Sequence, residues 1–189
     1  MGQYYRPTFL NEDKSEVIAT TEPLTTWFDG MKLMEHSYYG TDVVRATMEM
    51  LKNELNGFRF VWAGDYADNT IGDKNVYDVA DANGTDFADK LDTETRILSG
   101  KRYHRLPEKY GQAKYLLNYD KRAAVLLTPD GDNPIHPLPL LTAESNGLGG
   151  GDYRGPEMSL VGSWKYDHIG ASDELPEGFS VDEIVFEED

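Results

Sequence analysis

Five glycines fall between Gly147 and Gly155, in the stretch Asn146-Gly-Leu-Gly-Gly-Gly-Asp-Tyr-Arg-Gly155. No other segment of the chain restricts the backbone so strongly. Glycine loses more conformational freedom on folding than any other residue, so a cluster of it needs positive φ angles or a close backbone approach to offset the cost. An apolar run, Leu138 to Leu141, leads in, and Asp152, Tyr153 and Arg154 follow at once. Successive N–H groups in such a loop can form a concave nest for an anion. Two familiar templates fail. The dinucleotide fingerprint G-x-G-x-x-G matches at Gly147 and Gly149 but has Asp152 in place of its third glycine, and no Gly-Lys-Ser/Thr triplet occurs. The loop is therefore either a tight turn between strands or a ligand or partner site. In the second case Asn146, Gly149, Gly150, Gly151, Asp152, Tyr153 and Arg154 form the site.

A chain of 189 residues is read as a single domain, 1–189, large enough for a real core. Thirty-four acidic residues against 18 basic ones give a net charge of −16, which argues against general binding to phosphate backbones and favours a basic partner. Without cysteine there are no disulfides, thiolate metal sites or thiol nucleophiles. The N-terminal residues lack an apolar signal core, and no apolar run is long enough to span a bilayer, so the expected location is cytoplasmic.

The pattern predicts an α+β, strand-rich fold. Thr41 to Leu55 is the clearest helix: Val44, Met48, Leu51 and Leu55 recur on one face, Thr41 stands at the cap and Gly57 lies just past the end. Strands are expected at Gln3–Leu10 (with Pro7 implying an edge or bulge), Glu16–Thr20, Met31–His36, Phe58–Ala63, Lys114–Asn118, Ala123–Leu127, Leu138–Thr142, Leu160–Trp164 and Ile184–Phe186. Thr85 to Leu91 reads as a short helix. An acidic block, Asp65 to Glu94, precedes a basic one, Arg96 to Arg122. After Lys165 there are nine acidic residues and no Lys or Arg, which reads as an acidic arm.

Two hairpins share the turn pattern Leu-Asn-x-Asp-Lys, at Leu10–Lys14 and Leu117–Lys121. With the later pair Val61–Tyr66 and Val161–Tyr166, this suggests two related hairpin-plus-strand units, about 1–66 and 110–186, separated by a charged insertion, 67–109. If the units pack about a pseudo-twofold axis, Glu35, His36, Glu144 and His168 are the candidates for acid–base chemistry. No H-E-x-x-H, G-x-S-x-G or EF-hand pattern is present, and no metal or cofactor is assigned.

Met1-Gly2-Gln3-Tyr4-Tyr5, Lys32-Leu33-Met34-Glu35, Trp62-Ala63-Gly64-Asp65-Tyr66 and Leu140-Leu141-Thr142-Ala143-Glu144-x-Asn146-Gly147-x-Gly149-Gly150-Gly151-Asp152-Tyr153 resemble an uncharacterised family of bacterial and phage proteins. The resemblance brings no established activity. It implies a mobile-element setting, consistent with an inhibitor or accessory factor. The leading expectation is an acidic binding protein acting on a protein partner. The alternative is an enzyme or ligand-binding domain that holds a phosphorylated small molecule at loop 147–155.

Overall fold

The structure is a computed structural model that describes residues 1–20, 32–83, 111–132 and 134–188. Its strands are β1 (Tyr5–Leu10), β2 (Val17–Thr20), β3 (Phe58–Gly64), β4 (Tyr115–Asn118), β5 (Ala123–Leu126), β6 (His168–Ser172) and β7 (Ser180–Asp182). The helices are α1 (Leu33–His36), α2 (Asp42–Lys52), α3 (Val76–Asn83) and α4 (Pro137–Thr142). All seven strands form one sheet in the order β2-β1-β3-β6-β4-β5-β7. Neighbours are antiparallel except β5 and β7, which run parallel. The fold is a strand-rich α+β domain.

The order explains why the chain needs non-local pairing. Hairpin β1–β2 and hairpin β4–β5 occupy the two sides, and each sets its first strand against a later strand, β3 or β6. Those two later strands meet at mid-sheet through Phe58↔Ile169 and Arg59↔His168. The shared turn pattern does not close in the same way twice. Positive φ falls on Lys14 in the first turn and on Arg122, one position further along the pattern, in the second.

Alternation along β3 builds cores on both faces of the sheet. Phe60 and Trp62 join the larger cluster with Phe9, Leu51 and Leu116. Val61 and Ala63 point the other way, to Val76 and Ala80 of α3. On the larger side α2 buries Val43, Val44, Met48, Met50 and Leu51. Leu51 is fully buried, so Leu51→Ala should cost about 3 kcal/mol in denaturant unfolding. A loss under about 1 kcal/mol would mean the helix face is not packed as described.

Several expected elements differ. Two segments read as strands contain short helices instead: the described part of Met31–His36 holds α1, Leu33–His36, and Leu138–Thr142 lies in α4. In α4, Pro137 sits in the first turn, where its missing N–H is unneeded, and His136 Nδ1 accepts from Leu138 N–H as the cap. Leu160–Trp164 is not a strand: a 3₁₀ turn, Met158–Leu160, passes into a run of turns, and the strand comes later, as β6. Ile184–Phe186 is not an edge strand either; Ser180–Asp182 takes that place. The acidic segment after Lys165 is therefore no peripheral arm, since it supplies β6 at mid-sheet, and Phe186 is buried against Tyr153 with ring centroids 5.4 Å apart.

Thr41 stands at the start of α2, but its hydroxyl donates to the His36 and Tyr38 carbonyls instead of accepting from the helix. Pro7 lies inside the sheet, paired with Trp62 on one side, and its carbonyl on the other side accepts from the Thr20 hydroxyl at the end of β2. An irregularity follows at Phe9/Leu10. The helix expected at Thr85–Leu91, and most of the charged insertion, lie outside the described residues; α3 precedes them.

Candidate functional site

The glycine loop is placed by α4 and β3. Beyond α4, the chain continues beside β3, with Ala143 bridged to Trp62 and Glu144 N donating to the Trp62 carbonyl at 3.0 Å. It then turns to run beside the N-terminus. Gly150 N donates to the Met1 carbonyl, Gln3 N donates to the Gly150 carbonyl, and Met34 N at α1 donates to the Gly151 carbonyl. The loop is a clasp that fastens residues 1–3 and α1 to the sheet.

Asp152 holds the clasp from inside. Its Oδ2 accepts from Gly147 N at 2.7 Å and Gly149 N at 3.0 Å, and its Oδ1 accepts from the Tyr5 hydroxyl at 2.9 Å. The Gln3 amide, with its nitrogen turned inward, donates to Oδ2 at 3.1 Å and to the Ser145 carbonyl at 2.9 Å. The carboxylate is buried, and these donors replace the water it has lost. Burial and the Asp152 charge raise the Tyr5 pKa far above its ordinary value, so Tyr5 stays a donor. Asn146 closes the base of the loop, accepting from Tyr153 N and donating to the Tyr153 carbonyl. Tyr153 is buried, with its hydroxyl on Glu157. Gly151 takes φ 81°, the left-handed region that glycine enters freely.

Of the seven loop residues singled out in the sequence, Asp152 and Tyr153 thus build the loop from within, and Asn146 braces it. Gly150 and Arg154 are exposed. Leu148, which drew no attention in the sequence, projects at the tip with 63 % of its surface exposed, and Met158 is 44 % exposed beside Asn146. The signal was available: Leu148 is the one large apolar side chain within the glycine run.

The four acid–base candidates are distributed over separate environments, and none of them bonds to another. Glu35 is paired at the surface with Lys32, 2.8 Å away. His36 is buried on α1, and its Nε2 accepts from Trp62 Nε1 at 2.7 Å. Its Nδ1 has no partner in hydrogen-bonding geometry, and burial pushes its pKa down to about 3, opposed in part by the Lys32 carbonyl. Glu144 is buried with Oε1 accepting from the Tyr166 hydroxyl at 2.6 Å and Oε2 unpartnered. Burial raises its pKa, against the lowering effects of Tyr166 and Lys165. Among the described residues no group of three His, Asp or Glu side chains is placed to hold a metal ion.

His168 belongs to a cluster that sequence spacing did not disclose. Its Nδ1 lies 2.8 Å from Asp120 and its Nε2 2.7 Å from Glu12, while Arg59 Nη2 reaches Glu12 at 3.0 Å. The two hairpin turns are thereby tied across the mid-sheet pair Arg59↔His168. Burial disfavours the imidazolium, but Glu12 and Asp120 outweigh it and raise its pKa above the ordinary 6.5. A raised folded-state value means that this contribution to stability is full below pH 6.5 and fades as pH rises through the folded value. The His168 Cε1–H resonance should therefore titrate with a midpoint above about 6.5, and Glu12→Gln should lower that midpoint. A midpoint at or below 6.5 in the unmutated protein would remove the charged pairing.

No helix among the described residues is long and apolar enough to cross a membrane. Family models, curated proteins and solved structures offer no match to this chain.

Proposed function

We propose that this chain is an acidic protein-binding module and that the glycine loop carries its docking residue, Leu148. The observation behind the proposal is the exposure of Leu148, 63 %, at the tip of a loop whose own anchors are all internal. A loop fixed in advance loses little entropy on binding, so an apolar side chain at its tip can serve as an anchor for a partner pocket. Met158, beside Asn146, and Arg154, further along the loop, add exposed apolar surface and a guanidinium. The net charge of −16 favours a partner with a basic surface and speeds encounter with it. An inhibitor or accessory factor of a mobile element would fit this description.

A phosphorylated small molecule at loop 147–155 is the weaker reading. Two of the N–H groups such an anion would need, those of Gly147 and Gly149, already donate to Asp152. Affinity capture from a bacterial lysate with the unmutated protein and with Leu148→Ser tests the proposal. The expected result is a partner retained at low salt, released by high salt and lost with Leu148→Ser, while the melting temperature is unchanged. Equal capture by both proteins would overturn the role of Leu148.

A further inference from the structure

Asn-Gly pairs occur at Asn56-Gly57, Asn83-Gly84 and Asn146-Gly147, and the last of them opens the glycine loop. An asparagine before glycine loses its side-chain amide more readily than one before any bulkier residue. The next residue carries no side chain to hinder its own nitrogen, and its backbone bends freely enough to bring that nitrogen to the amide carbon.

The reaction needs only water. The Gly147 nitrogen gives up its proton and attacks Asn146 Cγ. A bond forms between them, the Cγ–Nδ2 bond breaks, and ammonia leaves carrying the proton. Water then opens the cyclic imide at either carbonyl, which yields aspartate or isoaspartate. Both reacting groups must be free to reach attack geometry.

In the closed loop neither is free. Gly147 N–H donates to Asp152 Oδ2 at 2.7 Å, so the proton that must leave is bonded to a carboxylate. The Asn146 amide is held at both ends by Tyr153: Oδ1 accepts from Tyr153 N at 3.0 Å, and Nδ2 donates to the Tyr153 carbonyl at 3.2 Å. Asn146 is half-buried and Gly147 exposed, so solvent reaches the pair once these bonds part.

The product does not fit the loop that shielded the reactant. Aspartate at this position still accepts from Tyr153 N but has no donor for the Tyr153 carbonyl, and two acceptors then face each other. It also adds a second negative charge to a loop closed around the buried Asp152 carboxylate. Isoaspartate adds a carbon to the backbone path between Asn146 and Gly147, which displaces the N–H groups aimed at Asp152. We infer that Asn146-Gly147 is a self-modification site gated by the clasp: the closed loop holds the amide, each opening exposes it to loss of ammonia, and the acidic product leaves the loop open. The clasp over residues 1–3 and α1 is then a one-way device, whatever docks on Leu148.

The test follows deamidation by peptide mass mapping of full-length protein kept at mildly alkaline pH, in native buffer and in guanidinium chloride. Asn146 should react at least ~10-fold more slowly in native buffer, where only the locally opened fraction is reactive. Asp152→Asn weakens the hold on Gly147 N–H and should speed the reaction at Asn146 about 3-fold or more. Asn56 is the internal control, because its Gly57 N–H stays on the Ile169 carbonyl at 2.9 Å and its rate should not change. In Asn146→Asp the Gly149 N–H should lose its protection from hydrogen exchange, while the Gly57 N–H keeps its own. The inference is overturned by any of three results: equal rates at Asn146 in native buffer and in guanidinium chloride, no acceleration in Asp152→Asn, or a Gly149 N–H as protected in Asn146→Asp as in the unmutated protein.

Discussion

Gly149→Val is expected to cost the fold more than about 4 kcal/mol, at the severe end for a single substitution. A Cβ at this position would lie 2.3 Å from Gln3 Cβ, 2.5 Å from Gln3 N and 2.9 Å from Gln3 Cα. Those are atoms of a backbone held between Gly150 and β1, so no side-chain rotation relieves the clash. Parting the strands would also remove the Gly149 N–H from Asp152 and leave a buried carboxylate short of a donor. The neighbouring position supplies the control. A Cβ on Gly150 would meet nothing nearer than 3.6 Å, and Gly150 does not hold a positive φ. Gly150→Ala should therefore stay within about 1 kcal/mol of the unmutated protein in denaturant unfolding. Equal losses at the two positions would mean that the clasp is not built as described.

Acid should unfold this protein through two histidines. Burial pushes His36 and His136 each down to about 3, so both are neutral in the folded chain at pH 5 and largely protonated in the unfolded chain. Below pH 6.5 the unfolded state binds more protons, and stability falls as pH falls, by up to about 1.4 kcal/mol per pH unit for each ring. His168 and Glu144 are shifted the opposite way, and their contributions to stability persist at low pH, so the raw stability curve mixes signs. The difference between proteins separates them. His36→Gln keeps an acceptor for Trp62 Nε1, and His136→Asn keeps one for Leu138 N–H. The gap in unfolding free energy between the unmutated protein and the double variant should narrow steadily from pH 6.5 to pH 4. A gap independent of pH would show that the two rings are not buried neutral.

The legible parts of the fold are those in which local pattern and tertiary role agree. Helix α2 repeats its apolar residues at helical spacing because one face is core, and β3 reads as a strand because Phe60 to Ala63 are buried on both faces of the sheet. The hairpins were legible from turn chemistry. The helices α1 and α4 were not, because segments of four and six residues carry no period long enough to separate helix from strand. Pro137 and Pro139 were a local signal against a strand that the apolar run concealed. Strand β6 contributes only Ile169 and two small residues, Gly170 and Ala171, to its interior; its place at mid-sheet comes from pairing with β3 and β4, which no local window records. The glycine loop was legible as a demand on the backbone. That its nest is filled by Asp152 depends on Tyr5 and Gln3, more than 140 residues away in sequence.

The parallel pairing of β7 with β5 has a consequence for how copies of this chain meet one another. Strand β5, Ala-Ala-Val-Leu, is an apolar run whose outer ladder would otherwise offer open N–H and C=O groups to any extended segment. Three exposed residues, Ser180, Val181 and Asp182, occupy that ladder. The new border is short, and Asp182 and Glu183 stand along or just beyond it with Glu187 and Glu188 following. A second sheet approaching this border meets like charge and only three residues of backbone, the two devices by which sheet proteins resist edge-to-edge growth. In this chain the carboxylates after β6 are therefore an argument about colloidal behaviour: at the β7 border of the sheet they oppose the addition of a strand from a neighbouring copy.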